Sequence, residues 1–321
     1  MNREMTRDQI YDLADKHMKE KRYGEAAVLY ERLVEMNPGE DSIVMSLAWA
    51  YRESGRIDDA IDCLEGLLKK ELERKVFTGF AFDELVKIFK NEGKHDRLID
   101  ICERATAAQP EDVGLLGILG DAYLRAGRID MAVEVFEKIT KMEPDSSMFF
   151  VNFGDALIAA GDFDGAEKAY DTAVTIDLSE ASVFYNRLGG AYFRAGQYER
   201  SEKAYGKSLK HSPDNPLYYC NLGNVLVKQG KLEEADGAYE NAVRIDPDSA
   251  GTFYNRLGNT LVAEGHHFRA IDIFRKAVSA DPQNPFYYLR LAESCAAEGL
   301  IEEAEEALGK CLPLRSLRTQ R

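Results

Sequence analysis

Apolar residues recur three and four positions apart along most of the chain, in short stripes separated by polar breaks. Between Val113 and Ser146, Leu116, Leu119, Gly120 and Tyr123 make one stripe, and Ala132, Phe136 and Ile139 make a second. That spacing predicts two amphipathic helices. Gly127 stands between them, where a residue without a Cβ can take the left-handed conformation that ends a helix. Pro144 stops the second helix, because proline has no N–H to donate and its ring blocks the preceding turn. The segment therefore reads as helix, tight turn, helix, loop.

The same reading applies almost everywhere else. A turn glycine recurs at residues 55, 93, 127, 161, 196, 230, 265 and 299, at intervals of 38, 34, 34, 35, 34, 35 and 34. Ala60, Ala132, Ala166, Ala235, Ala270 and Ala304 follow it by five residues, where two helices cross closely. Phe136, Tyr170, Tyr205, Tyr239 and Phe274 come four residues later still and are the expected core between repeats. Prolines 38, 110, 144, 213, 247 and 282 end six of the second helices. A fixed period of this length is the mark of a repeat array.

These columns resemble the tetratricopeptide repeat, a 34-residue unit with an aromatic, Leu-Gly, Tyr, Ala, an aromatic, Ala and Pro at set places. The resemblance covers roughly residues 7–318 and implies an all-α fold, a right-handed α-α superhelix (solenoid) of helix-turn-helix units. Nine units are expected, starting near Arg7, Asp41, Gly79, Val113, Ser147, Ser182, Pro216, Gly251 and Pro285, as one array over residues 1–321. The first has Lys21 in place of the turn glycine but keeps Leu13, Ala26, Tyr30 and Pro38. The 38-residue step predicts a longer second helix and a change of pitch around residues 69–80. FYNRLG occurs at 184–189 and again at 253–258, so two repeats are copied in tandem, 69 residues apart.

Charge and composition narrow the functional classes. A net charge of −15 counts against nucleic acid, whose phosphates need clustered Lys and Arg. No run of about 20 apolar residues could span a membrane, and the first residues lack the apolar core of a signal peptide, so the expected place is the cytoplasm. Five cysteines, at 63, 102, 220, 295 and 311, form no C-x-x-C. They are expected to be reduced, with Cys63 and Cys102 as small buried hydrophobes and no metal among their roles. None of the Gly-Lys pairs has the earlier glycine of a phosphate-cradling loop, and neither G-x-S-x-G nor H-E-x-x-H is present. His266 and His267, adjacent in an exposed turn, do not make a metal site. The acidic pairs Glu233/Glu234 and Glu302/Glu303 open second helices, where negative charge suits the helix end. No enzyme activity and no cofactor is expected.

The resemblance implies that first helices line an inner groove. In the last five units the residues flanking the Leu-Gly pair are Asn152, Asp155, Asn186, Arg187, Arg194, Asn221, Asn224, Lys228, Asn255, Arg256, Asn259, Arg290 and Glu293. Asparagine offers both a donor and an acceptor to a peptide backbone, and arginine can grip a carboxylate with two bonds. The expected ligand is an extended, acidic or C-terminal peptide segment, bound by a non-catalytic adaptor. The earlier groove is more apolar, with Tyr11, Met18, Met45, Trp49 and Phe80; Trp49 is assigned to its face and Val44 to the core. Two alternatives stay open: a homo-oligomeric scaffold stacked through its terminal repeats, and a regulatory or substrate-recognition subunit of an enzyme complex. Residues 312–321 form a basic tail with Lys310 before it and Arg315, Arg318 and Arg321 within it, and Pro313 is expected to interrupt the last helix.

Overall fold

The computed structural model of the protein describes residues 5–74 and 76–318, with side chains through residue 312. Its contacts gather into two bodies, one ending at Met142 and one beginning at Glu143. The first holds α1 (Arg7–Lys19), α2 (Tyr23–Met36), α3 (Asp41–Glu53), α4 (Ile57–Glu73), α5 (Phe80–Asn91), α6 (His95–Ala108), α7 (Val113–Arg125) and α8 (Ile129–Met142). The second holds α9 (Ser147–Ala160), α10 (Phe163–Ile176), α11 (Ala181–Arg194), α12 (Tyr198–His211), α13 (Pro216–Lys228), α14 (Leu232–Ile245), α15 (Ala250–Ala263), α16 (His267–Ala280), α17 (Pro285–Ala297) and α18 (Ile301–Arg318). Within each body every helix packs on the next in sequence, so the fold is the expected all-α array of helix pairs.

The turn between paired helices is set by backbone conformation. The eight phased glycines all lie at φ between 65 and 83°. Lys21 takes the same conformation at φ 58°, so the first repeat keeps the turn without the glycine. Starts are fixed by side-chain caps. Thr6 and Gln9 form a capping box on α1, while Asp112, Asp162, Asn215 and Asn284 accept from the first N–H groups of their helices.

The core forms where the glycine of the Leu-Gly pair meets the aromatic column. A Cβ built on Gly154 would stand 2.6 Å from the Tyr170 ring, and one on Gly258 would stand 2.5 Å from Phe274. Paired helices thus approach with an aromatic ring against bare backbone. Ala60, Ala132, Ala166, Ala235 and Ala270 are fully buried at the neighbouring crossing.

Irregular steps have local causes. The two 35-residue intervals contain one-turn 3-10 helices, Leu178–Glu180 and Pro247–Ser249, which run into α11 and α15 and start them at Ala181 and Ala250. The 38-residue interval holds α4, 17 residues long where α2 has 14, followed by a turn that Thr78 ties back to Glu71.

Four expectations are corrected. Pro313 does not interrupt the last helix, since α18 runs through to Arg318. Val44 is half-buried, and Ile43 and Leu47 occupy the core of α3 instead, because the buried stripe of that helix is rotated by one residue. Cys63 is also only half-buried, on the flank of its column, whereas Cys102, Cys220, Cys295 and Cys311 are buried; all five are free thiols. His266 and His267 are half-buried rather than exposed, because α16 begins at His267 and draws both toward the helix pair. The side chains of Arg315, Arg318 and Arg321 lie outside the described residues.

Candidate functional site

In the second body, the predicted Asn and Arg residues lie on the first helices α9, α11, α13, α15 and α17 and bond along the array. Asn221 Nδ2 donates to Asn186 Oδ1 at 2.8 Å, and Arg256 Nη2 donates to Asn221 Oδ1 at 2.6 Å. Each step joins residues 35 apart, so the row ties one repeat to the next. The asparagines were expected as free partners for a peptide backbone. Asn186 and Asn221 instead use part of their capacity on each other, because stacking of successive repeats brings their first-helix faces into contact.

The tandem copy places the same residue types in the same frame, with one decisive change. Arg187 donates to Asp155 from Nε at 3.0 Å and Nη2 at 2.6 Å, and to Asn152 at 3.3 Å. Burial pulls the Arg187 pKa down, but the Asp155 carboxylate outweighs this and holds it above its ordinary value. The equivalent of Asp155 beside Arg256 is Asn224. With its amide oxygen turned to Arg256, Asn224 accepts from Nε at 3.2 Å and Nη2 at 2.9 Å, while its nitrogen donates to Tyr239 Oη at 2.6 Å and Thr260 Oγ1 at 3.0 Å. Arg187 thus faces a carboxylate, whereas Arg256 faces only amides among the described residues.

Other predicted residues divide in the same way. Lys228 is ion-paired to Glu264, and Arg290 to Glu293 at 2.8 Å. Arg194 and Asn259 are exposed, and among the described residues neither has a side-chain partner. Asn255 Oδ1 is buried without a partner among the described residues. Its counterpart Asn186 receives a donor from residue 221, but residue 290 is the arginine that turns to Glu293 instead.

In the first body, Trp49 is 57% exposed and Phe80 71% exposed. They border a groove of about 880 Å³ with Met45, Leu64, Leu67 and Val76. Arg52 and Lys87 at its rim are both paired to Glu84, so the groove is apolar in character despite its charged edge. Tyr11 is exposed, whereas Met18 packs against the first core cluster and is not a groove residue. Sequence reasoning missed Val76 and Leu67, which the long α4 and the turn after it carry into this groove. Among the described residues no cluster of His, Cys, Asp and Glu could hold a metal ion, and no helix is long and apolar enough to cross a membrane.

Family models described as tetratricopeptide repeat or TPR repeat match residues 17–75, 100–147, 119–181, 189–230, 223–265 and 251–284. The chain belongs to the tetratricopeptide repeat family, whose arrays act in protein–protein interaction. No curated protein matches it. Among solved structures, a MamA protein is similar at 21% identity and TM-score 0.43, over 54% of this chain and 94% of that one. YrrB, described as a TPR protein with an unusual peptide-binding site, is similar at 23% identity and TM-score 0.38, over 57% of this chain and 94% of its own. The APC/C hetero-tetramer Cut9-Hcn1 is similar at 18% identity and TM-score 0.41, over 97% of this chain and 64% of that one.

Proposed function

We propose that the protein is a non-catalytic adaptor that holds an extended, acidic segment of a partner protein along the first-helix face of α11, α13 and α15. The observation that carries this reading is the row Asn186, Asn221 and Arg256. Its amides are fixed in orientation by one another, and its terminal guanidinium has no carboxylate partner among the described residues. A pre-oriented row of donors and acceptors loses little freedom on binding an extended backbone. Asn152, Asn255 and Asn259 extend the face, while Arg187, Lys228 and Arg290 act within it as paired supports. In the first body, the half-exposed indole of Trp49 is the corresponding apolar anchor. A few hydrogen bonds at about 0.5–1.5 kcal/mol each, set against the cost of ordering a peptide, suggest affinity of roughly micromolar order.

The test is capture from an extract of the source cell on immobilised protein, with cross-links to the partner mapped by mass spectrometry. The paired variant Asn221→Ala with Arg256→Gln is expected to lower the yield with no change in helical circular dichroism. Undiminished capture, or cross-links confined to the second helices, removes the groove reading.

A further inference from the structure

One position recurs just after the Leu-Gly place in the six repeats from Val113 onward; in four of them its side chain meets a neighbouring cation, while Asn259 has no side-chain partner among the described residues. Asp121 binds Lys90 and Arg125, Asp155 binds Tyr170 and Arg187, Asn224 meets Tyr239 and Arg256, and Glu293 binds Arg290. Between Asp155 and Asn224 the position is Gly190. No side chain enters there, yet the groups that would receive one are in place. A Cβ built on Gly190 would lie 3.4 Å from Tyr205 Oη and 3.5 Å from Arg194 Nη1.

Tyr205 differs from its neighbours for this reason. In the flanking repeats the column tyrosine meets the side chain at this position, Tyr170 with Asp155 at 2.5 Å and Tyr239 with Asn224 at 2.6 Å. Tyr205 Oη has no such partner among the described residues. Burial raises its pKa, and Arg256 and Arg194 both oppose that rise, so two cations act on one unengaged hydroxyl.

We propose that the space beside Gly190 is a carboxylate-binding subsite, in which an acidic group of the bound segment takes the place that the Asp155 carboxylate holds one repeat earlier. The ligand oxygen accepts from Tyr205 Oη and Arg194, with Arg256 adding positive charge from α15, two first helices further along. This rests on the groove reading above and adds to it the position of the acidic residue. The shared chemistry is a carboxylate, which a Glu or Asp side chain and a chain terminus can both supply.

Gly190 itself provides the test, because a Cβ there makes contacts of ordinary van der Waals length and none with backbone. Gly190→Asp supplies the carboxylate from within, whereas Gly190→Ala fills the same backbone position without charge. Three fluorescein-labelled decapeptides are titrated by anisotropy: a Glu/Ala peptide with an amidated end, its Gln/Ala counterpart, and that counterpart with a free C-terminal carboxylate. The native protein is expected to prefer the Glu peptide, the free-acid Gln peptide or both over the amidated Gln peptide by about 10-fold, as charge-assisted bonds allow. Whichever carboxylate peptide is preferred identifies the source. Gly190→Asp should abolish the preference, Arg194→Gln should reduce it, and Gly190→Ala should retain it. Equal binding of all three peptides overturns the carboxylate subsite and leaves the groove reading standing. A preference that survives in Gly190→Asp also overturns the subsite, and absence of binding by all three peptides removes both.

Discussion

Gly223 and Tyr239 are in contact that only a glycine permits: a Cβ on residue 223 would stand 2.6 Å from ring carbon Cδ2 of Tyr239. The ring is fully buried. Gly223→Ala is therefore expected to destabilise the protein by about 1–3 kcal/mol through overpacking. Gly237, in the middle of α14 with nothing within 4 Å, is the control. Gly237→Ala should stabilise by about 0.5–1 kcal/mol, since glycine gains most freedom on unfolding. Urea unfolding followed by circular dichroism measures both signs.

Lys21 supports a turn in a conformation that side chains resist, with φ 58°. Lys21→Gly is expected to raise stability by roughly 1 kcal/mol. Differential scanning calorimetry should show a higher midpoint, and an unchanged or lower one contradicts this account of the first repeat.

Asp121 shows how a column carboxylate couples stability to pH. Burial pushes its pKa up, but bonds from Lys90 and Arg125 outweigh burial and hold it below the ordinary 3.8. A depressed carboxylate contributes stability that is present above its unfolded value and lost as pH falls through its folded one. Asp121→Asn should therefore be less stable than the native protein at neutral pH, with the difference fading below about pH 3.8. A difference independent of pH contradicts the ionic origin.

Burial orders the thiols by reactivity. It pushes Cys102 up to about 12 and Cys220 up to about 11, leaving little thiolate in either at neutral pH. Cys63 is raised too but is only half-buried. Iodoacetamide at neutral pH should modify Cys63 first and leave Cys102 and Cys220 intact in the folded protein, as peptide mass mapping can follow.

Trp49, the only tryptophan in the chain, reports on the first body by fluorescence. Its half-exposed indole should emit at long wavelength and shift to shorter wavelength when a partner enters the groove. Trp49→Ala should change stability by less than about 0.5 kcal/mol while weakening binding to the first body.

The fold was legible in the sequence because glycine, alanine and aromatic columns each answer to a local geometric need that recurs in phase. The candidate site was legible only by residue type. Arg187 and Arg256 stand in identical FYNRLG strings, and their own neighbours do not tell them apart. The difference comes from Asp155 and Asn224, 32 residues earlier, which packing alone brings beside them. Gly190, the second half of a Gly-Gly pair, has no side chain that marks it in the sequence. Reading residues 121, 155, 190, 224, 259 and 293 as one column shows Asp, Asp, Gly, Asn, Asn and Glu, and the glycine then stands out. The groove beside Trp49 was partly visible through its exposed aromatics, but the reach of α4 depends on a turn that the repeat pattern does not encode.

Side-chain ties in the second body reach one repeat along: Asp155 to Arg187, Asn186 to Asn221 and Asp164 to Arg200 span 32, 35 and 36 residues. Nothing in such a tie records how many repeats precede or follow it. A further 69-residue copy inserted before Ala181 would meet a neighbour offering equivalent atoms at equivalent spacing. The number of repeats is thus free to change by duplication, and each added copy brings a new residue at the Gly190 or Asn224 position whose identity can diverge without disturbing the packed rings behind it.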